Sequence, residues 1–263
     1  MPDVPEMLEV EAYRRLAEGA VGRPIASIDA ADTWFLKGGI TSDAVRDALV
    51  GRRFSAARRV GKLLLMDLDL GPTVGLRFGM TGRLLVDDAI GVNELQYSSH
   101  RLDTGWDRFV VHFDDGGDMR INDPRRLGGV LLDPDEAHLG PDAAAITYRE
   151  LADALDASTA PLKARLMDQR RVAGLGNLLT DETLWRAGLD PARAAGSLST
   201  GERRRLHRHI HSTVAQLDAR GGSHTGDLQL ARVRGGRCPK DGAELARRTV
   251  GGRTTYSCPV HQS

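Results

Sequence analysis

The sequence is poor in cysteine and in aromatic residues, and it has no long hydrophobic run. Its two cysteines, Cys238 and Cys258, are too few for the disulfide framework of a small secreted protein. No apolar run approaches the roughly 18 residues that a membrane-spanning helix needs. The acidic segment MPDVPEMLEVEAYRR lacks the hydrophobic region of a signal peptide. We therefore expect a cytoplasmic protein that has no membrane partner.

The chain also lacks net charge, because its 36 basic residues balance its 36 acidic residues. The charges are unevenly distributed, however. Residues 1–150 contain 18 Lys and Arg against 25 Asp and Glu, whereas residues 151–263 contain 18 against 11, so the two halves carry −7 and +7. A basic half fits either a polyanion-binding surface or a solvated arginine-rich face, and charge alone does not separate these alternatives.

Turn residues and hydrophobic spacing divide the chain into segments of different type. Residues 9–19 have helical spacing, and short β-type runs then extend from Ile25 to about Leu132. Beyond Pro141 the spacing becomes helical again, and the chain closes with a short Gly- and Arg-rich tail. The β-type runs are KLLLMDLDLG, TVGLRFGM, GRLLVDD, DRFVVHFDDGG, DMRIND and GGVLLDP, and the helical segments are YRELADALDA, APLKARLMDQR, NLLTDETLWRAG and TGERRRLHRHIHSTVAQLDARG.

These patterns predict an α+β fold in three parts. We expect an N-terminal β-sandwich domain with an N-terminal helix at residues 1–135, and a helical domain at residues 145–225. The tail at residues 230–263 is too short and polar for a core of its own. We interpret it as a β-hairpin stapled by a metal or a disulfide.

The chain begins with Met1-Pro2, which has a chemical consequence. Methionine is normally removed before a small residue, and this would expose the secondary amine of Pro2. An α-amino group has a pKa of about 7.7–8.0, so a useful fraction is neutral and could attack a sugar C1′ atom to form an iminium intermediate. Asp3 and Glu6 could supply general acid and base groups. Alternatively, acidic residues before a helix simply favour its dipole.

Six motifs follow one another along the chain at compatible spacings. They are MPDVPE at the start, Lys62 in RRVGKLLL, FGMTG at 78–82, NDPRRLGG at 122–129, AGLGN at 173–177 and the C-terminal hairpin. Each motif is weak alone. In this order they resemble the formamidopyrimidine-DNA glycosylase / endonuclease VIII (Fpg/Nei) family, and the resemblance extends from Met1 to about Gln262.

The resemblance implies a monomeric, bifunctional DNA-repair enzyme that acts on double-stranded DNA near the nucleoid. Such an enzyme excises oxidised bases and then cleaves the abasic strand by β,δ-elimination. Pro2 matches the nucleophile of the family, and Lys62 matches a lysine that serves proton transfer and phosphate binding. Arg253 matches the hairpin-tip arginine that contacts the phosphate at the lesion and takes part in δ-elimination.

An enzyme of this kind must extrude the base and fill the gap in the stack. The positions that match the family's gap-filling residues are Met80, Arg125 and Leu127, with leucine in place of the usual aromatic. Plain core packing is the alternative for Met80 and Leu127, although the Gly-Met-Thr-Gly turn favours exposure of Met80.

AGLGN resembles the turn of a helix-two-turn-helix domain. The backbone N–H groups at such a helix start can bind phosphate. Asn177 matches a phosphate-binding asparagine, and Lys163 matches a DNA-contacting lysine. A plain turn between two helices would also use glycine.

The C-terminal hairpin keeps the register of the family's zinc finger, which has two Cys-x-x-Cys pairs about sixteen residues apart. Cys238 and Asp241 form the first pair here, and Cys258 and His261 form the second. Aspartate and histidine also bind zinc, so we expect one structural Zn²⁺ held by these four residues. A metal-free hairpin and a Cys238–Cys258 disulfide are the alternatives.

The chain departs from the family pattern at two places that concern activity. Asp3 replaces a glutamate and shortens the carboxylate arm, and misplacement of a catalytic group by about 1 Å can cost about 10²-fold in rate. The segment GGSHTGDLQLARVRGGRC is much shorter than the loop that caps 8-oxoguanine in classical Fpg enzymes. A formamidopyrimidine, an oxidised pyrimidine and a bare abasic site stay open as substrates. A catalytically weak paralog that binds damaged DNA is the alternative function.

His207 and His211 share one face of the last predicted helix, whereas His209 points away from both. Arginines surround all three in the sequence. We interpret the histidines as part of a solvated, basic helix face.

Overall fold

The computed structural model describes residues 5–92 and 101–263. The chain forms two compact units. The first contains Glu9–Glu136, and the second contains the chain from Ala137 to Ser263 together with the described residues before Glu9. Within the described ranges, no helix combines the length and the apolar character that crossing a membrane requires.

The first unit is built mainly from two sheets whose neighbouring strands are all antiparallel. Its strands are β1 (Ile25–Asp29), β2 (Phe54–Val60), β3 (Leu63–Leu68), β4 (Thr73–Arg77), β5 (Arg83–Val86), β6 (Ala89–Ile90), β7 (Asp107–Phe113), β8 (Asp118–Asn122) and β9 (Gly129–Leu132). One sheet has the order β1-β7-β8-β5-β6 and the other has the order β2-β3-β4-β9. The helices are α1 (Met7–Ala17), whose first two residues belong to the second unit, and α2 (Ser42–Leu49).

The hydrophobic pattern explains the burial of these strands. Strand β7 alternates, with Phe109, Val111 and Phe113 buried, as expected where one face of a strand meets the core. The Asp-Gly-Gly segment at residues 115–117 lies in the β7–β8 turn, where the Phe113 N–H donates to the carbonyl of Gly117 at 2.9 Å.

Among its described residues, the second unit contains four complete α-helices and a β-hairpin. They are α3 (Tyr148–Leu155), α4 (Leu162–Met167), α5 (Asn177–Ala187), α6 (Thr200–Ala219), β10 (Ala246–Val250) and β11 (Arg253–Ser257). Capping boxes start α3 at Thr147 and α6 at Ser199. Every residue of α5 except Arg186 is buried, so α5 is the central helix of the unit.

The predicted α+β class, with a β-rich N-terminal part, a helical part and a C-terminal hairpin, is confirmed. The interpretation of residues 25–132 as entirely β was wrong at α2. That helix is short, and only Val45 and Leu49 of it are buried. Its start signal is Thr41, whose side chain accepts a hydrogen bond from the Ala44 N–H at 3.1 Å.

Candidate functional site

Of the three N-terminal residues predicted to be catalytic, the structure describes only one. Pro2 and Asp3 lie outside the described residues. Glu6 is described and is fully buried. Its carboxylate accepts hydrogen bonds from the backbone N–H groups of Leu178 at 2.7 Å and of Gly176 and Leu179 at 3.0 Å. A carboxylate at the start of α5 also interacts favourably with the helix dipole. This arrangement favours a positioning role for Glu6 over proton transfer.

The AGLGN segment contains a close approach that requires glycine. A Cβ atom at Gly176 would overlap the Glu6 carboxyl group, so a larger residue there would displace the carboxylate. The group that binds the N–H groups at the start of α5 differs from the predicted one, however. We expected its N–H groups to bind phosphate, but those of Gly176, Leu178 and Leu179 already bind Glu6.

Asn177 begins α5 and is 3% exposed. Its side-chain oxygen has no hydrogen-bond partner among the described residues. A buried amide oxygen without a partner is costly, so this atom has unused capacity to accept a hydrogen bond.

Lys163 occupies a position that does not suit its predicted DNA contact. Its side chain is completely buried, and its ammonium group lies 2.7 Å from the carboxylate of Asp181. It also donates to the hydroxyl of Thr255 at 2.9 Å and to the carbonyl of Thr254 at 3.2 Å. Burial lowers the pKa of Lys163, while the Asp181 carboxylate opposes that shift. The ammonium group therefore joins α4 to α5 and to the hairpin and does not face solvent.

The same aspartate holds the hairpin from a second side. Asp181 accepts hydrogen bonds from the guanidinium of Arg232 at 2.9 Å and from the Tyr256 N–H at 3.3 Å. Arg253 is the first residue of β11, directly after the Gly251-Gly252 turn, and is partly exposed. Asp181 and Lys163 thus anchor the strand whose tip carries Arg253.

The predicted metal ligands converge at the base of the hairpin. Ligand atoms of Cys238, Asp241, Cys258 and His261 all lie within 4.8 Å of one another. The closest pair is His261 Nδ1 and Asp241 Oδ2 at 2.7 Å, and the Cys258 Sγ atom lies 3.1 Å from the same oxygen. Both thiols are free, so the structure does not contain the alternative Cys238–Cys258 disulfide.

The surroundings of this group suit a thiophilic cation. The Nε2 atom of His261 faces the carbonyl oxygen of Trp185 at 3.2 Å, which favours a proton on Nε2 and leaves the Nδ1 lone pair for the group. The Ala243 N–H, followed by His261, holds the pKa of Asp241 well below its usual range. Burial raises the pKa of the Cys258 thiol, so a cation that binds this sulfur would have to displace its proton. Two sulfurs, one nitrogen and one carboxylate oxygen are ligands that zinc accepts.

The remaining predicted residues lie in the first unit. Lys62 is partly buried in the turn between β2 and β3. Arg125 is exposed, and the side chain of Leu127 is 48% exposed, as a residue that inserts into DNA requires. Met80 is only 9% exposed, so the expectation that its turn would expose it was wrong in this conformation.

A residue that the sequence analysis did not single out organises this region. Asp123 is fully buried, and its carboxylate accepts hydrogen bonds from the Thr81 hydroxyl at 2.6 Å, the Gly128 N–H at 2.9 Å and the Arg125 N–H at 3.2 Å. It therefore joins the loop of Met80 to the loop of Arg125 and Leu127. The Asn-Asp-Pro sequence at 122–124 could have indicated this role, because an aspartate at the start of a turn often accepts hydrogen bonds from nearby backbone N–H groups.

Gly79 permits the close approach of the two loops. Its φ is +59°, and a Cβ atom there would overlap the backbone of Leu127. Met80 therefore directly follows a glycine whose close contact with Leu127 would not admit a larger residue.

Comparison with known proteins agrees with this architecture. Residues 1–130 match the family model of the formamidopyrimidine-DNA glycosylase N-terminal domain, and residues 139–227 match that of the formamidopyrimidine-DNA glycosylase H2TH domain. The formamidopyrimidine-DNA glycosylase of Paracoccus denitrificans is 35% identical over 98% of this chain and 100% of that protein. The enzyme of that name from Arabidopsis thaliana is 30% identical over 98% of this chain and 71% of its own length.

Solved structures give the same result. A crystal structure of Lactococcus lactis Fpg (MutM) with FAPY-dG-containing DNA matches with a TM-score of 0.81 at 26% identity, covering 98% of this chain and 99% of that one. A complex of the LlFpg protein with THF-DNA and an inhibitor matches with a TM-score of 0.83 and covers 98% and 100% of the two chains. The fold is thus that of a class of DNA-binding proteins with an H2TH domain. The chain belongs to the Fpg/Nei family.

Proposed function

We propose that this protein is a base-excision-repair DNA glycosylase with AP lyase activity. The observation that carries the proposal is the full-length similarity to proteins named formamidopyrimidine-DNA glycosylase, in a chain that keeps Pro2, Lys62 and Arg253. The substrates we propose are oxidised bases and abasic sites in double-stranded DNA. The related solved complexes contain FAPY-dG, an oxidised pyrimidine or an abasic site.

In this mechanism the free amine of Pro2 attacks C1′ of the damaged nucleotide. The N–C1′ bond forms as the bond between C1′ and the base breaks, and ring opening gives an iminium intermediate. Loss of a C2′ proton then expels the 3′-phosphate, and a second elimination expels the 5′-phosphate. Lys62 serves proton transfer and phosphate binding, and Arg253 binds the phosphate at the lesion and assists the second elimination. Met80, Arg125 and Leu127 fill the vacated position, and Asn177 binds a phosphate.

Borohydride trapping tests the nucleophile. Reduction of the iminium should give a covalent protein–DNA adduct when protein lacking Met1 meets a duplex with an abasic site. Pro2→Gly replaces the secondary amine by a primary one and should weaken the adduct sharply, whereas Pro5→Gly, which keeps the secondary amine of Pro2, is the matched control. Absence of an adduct with the wild-type protein would exclude the proposed enzyme.

A weakly catalytic damage-binding paralog is the second candidate, because Asp3 carries a shorter arm than the family's glutamate. Asp3→Glu distinguishes the two. If the short arm limits the rate, this variant should raise the single-turnover rate by up to about 10²-fold without tightening binding to abasic DNA. Tight binding with no excision by either form would favour the paralog.

We also propose that Cys238, Asp241, Cys258 and His261 bind one Zn²⁺, which would stabilise the hairpin when present. Elemental analysis of protein purified without chelator should find zinc, and Asp241→Ala should reduce its content. Asp241→Cys, which introduces a third thiolate, should slow zinc loss to a chelator. Zinc-free wild-type protein would exclude the site.

The proposal includes the setting in which the enzyme works. We propose a monomer that acts at the nucleoid in the cytoplasm. We also keep the three-part division into residues 1–135, 145–225 and 230–263. Size-exclusion chromatography with light scattering and limited proteolysis test the monomer and the boundaries, respectively.

A further inference from the structure

Two histidines of α6 converge on a main-chain oxygen, which differs from the solvated face that the sequence suggested. The Nε2 atoms of His207 and His211 each lie 2.9 Å from the carbonyl oxygen of Ile146. The two nitrogens lie 3.1 Å from each other. Both side chains are partly buried, and Ile146 is buried just before α3. Three potential ligand atoms therefore form a nearly equilateral triangle between α6 and the start of α3.

Hydrogen bonds alone do not satisfy this triangle. A neutral imidazole has one ring N–H. If both Nε2 atoms carry a proton, both can donate to Ile146, but the two N–H groups then oppose each other at 3.1 Å. If only one Nε2 atom carries a proton, the lone pair of the other faces the carbonyl oxygen at 2.9 Å. Every neutral arrangement leaves at least one of the three contacts repulsive.

A single cation that lies equally far from the three atoms, just outside their plane, makes all three contacts favourable. Atoms that each lie about 2.0–2.1 Å from one zinc ion are about 2.9–3.4 Å apart for octahedral to tetrahedral bond angles. The three separations of 2.9, 2.9 and 3.1 Å agree with this range. Residues four apart on a helix present their side chains on one face, which allows both imidazoles to reach one ion.

We propose that His207 Nε2, His211 Nε2 and the carbonyl oxygen of Ile146 bind a divalent transition-metal ion, with solvent completing its coordination. The site shares no residue with the hairpin group and does not depend on zinc there. The bound ion would link the middle of α6 to the segment that precedes α3. It would therefore stabilise the helical core on which the proposed DNA-binding elements are built.

The ligand chemistry identifies the class of ion. Imidazole suits zinc, copper and nickel, whereas magnesium and calcium require several oxygen ligands. All three ligands are neutral, and Arg204 lies nearby, with its guanidinium over the Tyr148 ring whose edge meets His207. Among the described residues, no carboxylate pairs with either imidazole. A hard cation that depends on anionic oxygens would therefore bind poorly here.

Zinc binding by the full-length protein tests the proposal. Protein purified without chelator is dialysed against Zn²⁺, and bound zinc per chain is measured by elemental analysis. His207→Gln and His211→Gln should each bind one equivalent less than the wild type. His209→Gln is the matched control on the same helix and should bind as much zinc as the wild type. Because the readout is a difference between variants, the result does not depend on how much zinc the hairpin holds.

A thermal measurement keeps the test valid if a variant is less stable. Added Zn²⁺ should raise the Tm of the wild type and His209→Gln more than that of the two other variants, while circular dichroism at low temperature shows all four proteins folded. Mg²⁺ should produce no such difference. Equal zinc content and equal Zn²⁺-induced Tm shifts in all four proteins would overturn the proposal.

Discussion

The Glu6 carboxylate accepts a hydrogen bond from the backbone N–H of Leu178 at 2.7 Å, across 172 positions of sequence. Gly176 and Leu179 complete the interaction. A side chain four residues from the proposed nucleophile therefore caps the central helix of the H2TH domain. From the sequence, Glu6 was a candidate general acid or base. In the structure its carboxylate instead fixes residue 6 to the start of α5.

We predict that Glu6→Gln lowers the free energy of unfolding by roughly 1–3 kcal/mol, because one buried oxygen acceptor is lost and N–H donors stay unsatisfied. Chemical denaturation followed by circular dichroism measures this change. Asp43→Asn, at a side chain that is 88% exposed, should stay within about 0.5 kcal/mol of the wild type. If Glu6 were only a proton-transfer group, Glu6→Gln would lose activity and keep full stability.

Asp123 should affect base extrusion through the loops that it joins. Asp123→Asn exchanges one acceptor oxygen for a donor amide facing the Thr81, Arg125 and Gly128 donors, so we expect a loss of roughly 1–3 kcal/mol in unfolding free energy. Extrusion is needed in duplex DNA but not in a single strand. Excision from a duplex should therefore fall more than cleavage of a single-stranded abasic site.

The measurement for Asp123→Asn is the ratio of single-turnover rates on the two substrates. Asp114→Asn, in the exposed β7–β8 turn, is the control and should leave the ratio unchanged. Equal losses on both substrates would show that Asp123 has no specific part in extrusion.

Lys163 and Arg253 should differ in their contribution to DNA binding. Lys163→Met removes the buried partner of Asp181, and breaking such a pair lowers the free energy of unfolding by about 3–5 kcal/mol. We expect a loss at the lower end of this range, because Asp181 keeps its ion pair with Arg232. The variant should nevertheless keep the wild-type salt dependence of DNA affinity. Arg253→Ala should reduce the slope of log K against log salt by about 0.9, as expected for one phosphate contact. A reduced slope for folded Lys163→Met would place its ammonium group on a phosphate.

The Arg193–Glu202 ion pair predicts a dependence of stability on pH. Arg193 lowers the pKa of Glu202 to about 2. Because the folded pKa lies below the unfolded value of about 4.3, the pair stabilises the protein above that value and loses its effect as the pH falls toward about 2. Glu202→Gln should therefore be less stable than the wild type near neutral pH, and the difference should shrink in acid.

Thermal unfolding between neutral and acidic pH checks this prediction. Glu150→Gln is a matched control, since Glu150 completes the capping box of α3 and forms no ion pair with an arginine of the described residues. Its Tm difference from the wild type should be the smaller one near neutral pH. A Glu202→Gln difference that is independent of pH would exclude the ion pair as the cause.

The sequence was sufficient for features that depend on local pattern. Strand β3 follows from an apolar run, and the turn before β8 follows from its glycines. The register of Cys238 and Cys258 also predicted the group that the hairpin assembles, because short loops fix which positions can meet. These features depend on spacing that can be read directly from the chain.

Features that depend on distant partners could not be predicted. The burial of Lys163 needs Asp181 and the hairpin, and neither is visible from a lysine in a helical segment. The contact of His207 with Ile146 depends on how α6 packs against the start of α3. Exposure of Met80 was predicted from its turn alone, but the contact between Gly79 and Leu127 brings that turn against a second loop.

The burial of Glu6 also sets a tether length for the proposed reaction. Pro2 is four positions before Glu6 in the sequence, so its reactive nitrogen cannot lie farther than about 14 Å from the backbone nitrogen of Glu6. A short tether keeps the effective concentration of the amine at the reaction site high, and this concentration falls steeply as the linker lengthens. Residues inserted between Pro2 and Glu6 should therefore slow covalent capture even when every side chain of the site is kept, which makes chain length itself a determinant of the chemistry.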